Sequence, residues 1–217
     1  MRRLVVSSMR LTLLVCLPCG AGLFTLSHPL LQALFASQPR GVATAEPLLR
    51  LLGIAEPLVG LSAVTTAVLQ SFGRPDLTVY AMTAGCSCKF AVSFWLAGQP
   101  DYHIAAAPIG TLVCYSVILL CNLACMGKLL GWLPPLGKAL FRPLLASCGM
   151  AAFAFWLDRQ LEPILGLRAA VLLTVCAVIP FYFILLTALH AWEAEDILPL
   201  PGGKQMARWM RLEQRRE

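Results

Sequence analysis

The sequence is a succession of apolar stretches, each close to the roughly 20 residues that an α-helix needs to cross a hydrocarbon core about 30 Å thick. They run from about Leu11 to Phe35, Glu46 to Phe72, Leu77 to Ala97, Ile104 to Met126, Ala139 to Leu157 and Leu167 to His190. Short breaks rich in Gly, Pro and charge separate them, notably Gly73-Arg74-Pro75-Asp76, Gln99-Pro100-Asp101 and the loop holding Trp132, Pro134 and Pro135. Lipid offers backbone groups no hydrogen bonds, so a spanning segment of this kind is helical. The expectation is an all-α membrane protein, a bundle of six transmembrane helices. Composition agrees, because only 13% of the residues are charged where soluble domains carry about 25%.

Charge placement gives an orientation. Twelve Lys and Arg (2, 3, 10, 74, 128, 138, 142, 204, 208, 211, 215 and 216) fall on one side of a six-span topology, and four (40, 50, 159 and 168) on the other. Positive loops stay in the cytoplasm, so both termini are expected there, in a cell (cytoplasmic) membrane. The net charge of +6 is thus explained by topology rather than by a nucleic-acid partner. In the tail, Lys204, Arg208, Arg211 and Arg215 share one helical face, which suits a helix lying on anionic lipid of the inner leaflet. The start of the chain does not read as a signal peptide, since Arg10, Pro18, Gly20 and Gly22 interrupt the apolar run. The same Pro and Gly residues predict a kink or an unwound turn near the outset of the first span.

Enzymatic chemistry finds no footing. The nine cysteines all lie in apolar stretches and read as small membrane-helix residues; Cys86 and Cys88 have no His or carboxylate at ligand spacing, so neither a metal nor a cofactor is expected. His28, His103 and His190 fall near span edges without a nucleophile and an orienting partner, and no phosphate-binding or dinucleotide motif is present. Small residues recur four apart at Pro18/Gly22, Ala63/Ala67, Ala81/Gly85, Ala106/Gly110 and Ser147/Ala151, a spacing that lets membrane helices approach closely.

Charge inside the membrane costs roughly 2.5 to 3.5 kcal/mol per residue on insertion scales and usually faces the bundle interior. Lys89, midway along the third span, is therefore a candidate substrate-binding residue, against the alternative that it snorkels to an interface. Glu56, beside Pro57 in the second span, is a candidate of the same kind, with shallow hydration as its alternative. Gln70 is an uncharged candidate. Asn122 and His28 read as interhelical or interfacial hydrogen-bonding residues.

Several strings, in order along the chain, resemble the stage V sporulation protein B group of polysaccharide exporters. They are Arg10-Leu-Thr-Leu-Leu with Pro18 and Gly22, Leu51-Leu-Gly53, Val68-Leu-Gln70-Ser-Phe-Gly73-Arg-Pro75, Lys89, Ala105-Ala-Ala-Pro-Ile-Gly110-Thr111, Arg142-Pro143 through Met150, and Glu195-Asp196-Ile-Leu-Pro199. The resemblance implies the MATE-like multidrug/oligosaccharidyl-lipid/polysaccharide exporter superfamily, whose members are built from two six-helix lobes, with two extra helices in this branch. On that reading residues 1–126 are the last four helices of the second lobe, 127–190 the two additional helices and 191–217 a cytoplasmic basic tail. The first eight helices would have to come from elsewhere, so the chain is expected to be a gene fragment, a split subunit or a truncated protein. Ser93 departs from the family, which commonly has asparagine there.

The function this implies is part of a flippase, with no enzymatic activity. It would translocate a polyprenyl-linked sugar intermediate for cell-wall or spore-envelope polysaccharide, with Lys89 facing the cavity and the missing N-terminal lobe as partner. The alternatives are a fragment of a cation-coupled multidrug exporter, which would favour a cavity carboxylate and for which Glu56 is the only candidate within a span, and a membrane scaffold without transport activity.

Overall fold

The computed structural model of the protein describes residues 2–100, 102–132 and 136–189. All the regular structure in them is helical: α1 (Arg2–Thr25), α2 (Ser27–Leu34), α3 (Pro39–Ser71), α4 (Pro75–Ala97), α5 (Ala106–Leu130), α6 (Leu136–Leu165) and α7 (Leu167–Ala188). Leaving aside the short α2, six helices are long. Five of the described helices, α1, α3, α5, α6 and α7, are long and apolar enough to cross a membrane. The remaining long helix, α4, falls outside that set, its apolar residues diluted by Asp76, Lys89 and a scatter of Thr and Ser. The chain is an all-α membrane bundle.

Helix starts follow local chemistry. Proline lacks an N–H and carries a preset φ, which suits the first helical turn, and Pro39 and Pro75 each open a helix. Arg74, 3.2 Å from Asp76, pins the turn before α4, and its hydrogen bond holds the Asp76 carboxyl below the usual carboxylate range. The break expected near Pro18 lies elsewhere. α1 runs unbroken from Arg2 through Pro18, and the chain leaves helical geometry at Leu26 before resuming as α2. Pro18 is accommodated because the carbonyl it frees, that of Leu14, accepts a 2.8 Å hydrogen bond from the Tyr182 hydroxyl of α7.

The bundle has α1 at its centre. One side of α1 (Met9, Leu13, Leu17) packs with Leu61 and Leu69 of α3 and Leu119 and Met126 of α5. The other side (Leu14), with Leu26 just beyond the helix end, joins Ala146, Met150 and Ala154 of α6 and Val178, Tyr182 and Leu186 of α7. α4 is carried mainly on α5, and α2 folds over α3 and α7. Outside these seams large apolar side chains face outward, among them Tyr80, Phe90, Phe94 and Trp95 on α4 and Leu172 and Ile184 on α7. A soluble protein keeps such patches small; in a bilayer they meet acyl chains.

Close helix contact comes from small residues, though not always from the pairs expected. Gly20 and Gly53 meet where α1 crosses α3: a Cβ on Gly20 would run into the Gly53 carbonyl oxygen, and one on Gly53 would lie 2.7 Å from the Gly20 oxygen. Pro57 leaves that Gly53 carbonyl without its helical donor. The expected Pro18/Gly22 pair therefore selects the right helix but the wrong face. Ala81/Gly85 and Ala106/Gly110 are buried, whereas Ala63 and Ala67 are exposed and hold no seam together.

Candidate functional site

Lys89 is half-buried in the seam between α4 and α5. Its side chain starts against Gly110, where an added Cβ would lie 3.3 Å from Lys89 Cγ and would strike Ser93 Oγ. Ser93, one turn on, donates to the carbonyl of Ala106 at 3.3 Å. The serine thus lies in a tight α4/α5 contact, and the glycine opposite makes room for both side chains. Among the described residues the Lys89 ammonium has neither an ion pair nor a hydrogen bond.

Glu56 lies in a different seam. It is half-buried on α3 facing α1, with its Cβ 3.4 Å from the position a Cβ on Gly20 would take. No hydrogen bond or ion pair among the described residues joins Glu56 to Lys89. Gln70 is exposed near the end of α3, and its backbone carbonyl accepts from Gly73 N at 2.9 Å in the turn to α4. The three candidates are therefore spread over two helix seams and a turn.

Two polar clusters do converge. Asn122 of α5 is fully buried and donates to Thr65 Oγ1 at 3.1 Å and Thr66 Oγ1 at 3.0 Å on α3. Ser62, about one turn away on α3, donates to the Tyr115 carbonyl at 3.1 Å. Interhelical bonds of this kind fix register where apolar packing alone would slide. At the far end of α3, Glu46 takes His28 Nδ1 of α2 at 2.7 Å and Arg50 Nη2 at 2.6 Å. Arg50 Nε also donates to the buried Ser27 Oγ at 3.1 Å. This cluster ties the α1/α2 break to α3.

One buried ionisable residue escapes the sequence reading. The fifth span was expected to end at Leu157 and Gln160 to lie in a loop, yet α6 continues to Leu165 and leaves only Gly166 before α7. Asp158 is then inside a candidate span and only 9% exposed. Glu56 is thus not the only carboxylate within a span. The signal was periodic: Ala146, Met150, Ala154 and Asp158 recur every four residues and share one face. Hydropathy alone ended the helix at its first charge. His190, the Glu195 to Pro199 string and the basic face from Lys204 to Arg215 lie outside the described residues.

The MatE family model matches residues 1–95, from α1 through most of α4. That stretch is MatE-like. It contains the Gly20/Gly53 crossing, Glu56, Gln70 and Lys89, so all three residues singled out from the sequence fall within it. None of the curated proteins matches the chain, and neither does any solved structure.

Proposed function

We propose that the chain works as a membrane transporter component of the MATE-like kind, forming the C-terminal part of a flippase for a lipid-linked oligosaccharide. The observation that carries this reading is Lys89. It is an ammonium without an ion partner among the described residues, half-buried in the α4/α5 seam, within the stretch that matches the MatE family. A charge in that setting is costly unless something anionic or hydrated meets it, and the diphosphate of a polyprenyl-linked sugar supplies such a charge. Its lipid tail suits the apolar outer surface of α4 beside the lysine. In this proposal eight further helices, the six of an N-terminal lobe and the first two of the second lobe, complete the transporter, the cavity opens between the two lobes, and both termini are cytoplasmic.

If Lys89 draws in a diphosphate, its charge matters more than its length. Produced together with the complementary helices in cells depleted of their own flippase, Lys89→Arg should retain partial complementation. Lys89→Met, similar in size and uncharged, should lose it while inserting into the membrane at the parent level. Full complementation by Lys89→Met would reduce the lysine to a snorkelling residue and remove the support for an anionic substrate.

A further inference from the structure

The α6/α7 pair is built as facing rungs. Phe153 stacks on Phe181 with ring centroids 4.0 Å apart, and a Cβ on Gly149 would lie 3.2 Å from Leu185 Cδ1. The two helices are therefore antiparallel in a fixed register. Ala146 with Leu186, Met150 with Tyr182 and Ala154 with Val178 are buried in one cluster along that register. Continuing by four residues on each helix brings Asp158 of α6 to the level of Thr174 of α7. Asp158 is 9% exposed and Thr174 0%, and each presents a buried oxygen without a hydrogen-bond partner, Asp158 Oδ1 and Thr174 Oγ1. The two orphaned oxygens share one level at the end of an otherwise apolar ladder and are not bonded to each other.

We propose that this rung is a proton-binding site, with Asp158 as the acceptor and Thr174 as its hydrogen-bond partner. The carboxylate takes up one proton from the aqueous phase and becomes the neutral acid, whose O–H then donates to Thr174 Oγ1. No other bond is made or broken. Without an ion partner, the buried carboxylate bears the desolvation cost of a charge in an apolar seam, which the neutral acid escapes, and the Thr174 hydroxyl, able both to donate and to accept, can pair with that acid. No ion pair described here relieves the charge. On α6 itself, Glu162 adds a like charge one turn on, and the Arg159 guanidinium lies 4.6 Å over the Phe155 ring. Arg168 of α7 is exposed. On α2 and α3, His28 and Arg50 are both engaged by Glu46. The cations of α1 (Arg2, Arg3 and Arg10) sit toward its opposite end.

The test is infrared difference spectroscopy of the full chain in lipid nanodiscs at neutral pH. The parent should show the C=O stretch of a protonated carboxyl that Asp158→Asn loses and that Glu56→Gln and Glu162→Gln keep. Thr174→Val, near-isosteric but without the hydroxyl, should keep the band and shift its frequency. The same band in Asp158→Asn as in the parent would overturn the proposal, as would its absence from the parent. Should Asp158→Asn fail to insert, Thr174→Val decides alone: a shifted band supports the pairing, and an unshifted one overturns it.

Discussion

A proline inside a membrane helix leaves one carbonyl without its helical donor, and this chain answers the problem in two ways. The Leu14 carbonyl freed by Pro18 receives the Tyr182 hydroxyl. The Gly53 carbonyl freed by Pro57 is pressed against Gly20, where no side chain can fit. The two arrangements predict different costs. Tyr182→Phe removes one interhelical hydrogen bond and keeps the ring, so the loss should be modest, about 0.6 and at most roughly 1.7 kcal/mol. Gly20→Ala forces an atom into the α1/α3 crossing and should cost about 1 to 3 kcal/mol, as overpacking does. Thermal unfolding in detergent, followed by size-exclusion of a fluorescent fusion, should rank Gly20→Ala below Tyr182→Phe. Gly22→Ala, whose added Cβ would meet nothing closer than Met150 at 3.9 Å, should match the parent. Equal stability of the Gly20 and Gly22 variants would mean that the crossing has slack the packing does not suggest.

For the helices themselves, punctuation in the sequence was readable where it was chemical and misleading where it was statistical. Pro75 opens α4 where the Gly73 to Asp76 turn was indicated by its composition, whereas α3 begins at Pro39, ahead of the expected Glu46, because proline suits a first helical turn. The end of α6 was not indicated, because Asp158, Arg159 and Glu162 read as a loop. In the structure two of the three sit on the exposed surface of the helix and only Asp158 turns inward. The face of a helix is likewise invisible to a four-residue spacing: Ala63/Ala67 has the same pattern as Ala81/Gly85 and points outward. Of the candidate residues, the isolation of Lys89 in an apolar run was legible. Its separation from Glu56 was not, since it depends on which helices pair. A test belongs at this scale too. With lysine and arginine retained in the cytoplasm, the α4/α5 connection is external, so on a cysteine-free background a cysteine at Gln99 should react with a membrane-impermeant maleimide in intact cells. Reaction only after permeabilisation would invert the orientation.

At the scale of the whole molecule, α1 is shared between two apolar clusters, one completed by α3 and α5 and the other by α6 and α7. The helices completing them are made at very different times. α3 follows α1 after a short α2, whereas α6 begins about 110 residues after α1 ends, so during synthesis one side of α1 gains its neighbours early while the Leu14 side waits. Throughout that interval the Leu14 carbonyl, lacking its helical donor, faces lipid or an insertion factor, because Tyr182 has yet to leave the ribosome. If assembly follows chain order, biogenesis divides into an early hairpin of α1 on α3 and a late closure. A nascent chain arrested after α5 should expose on α1 a polar notch in an apolar wall, the kind of surface that membrane quality control detects.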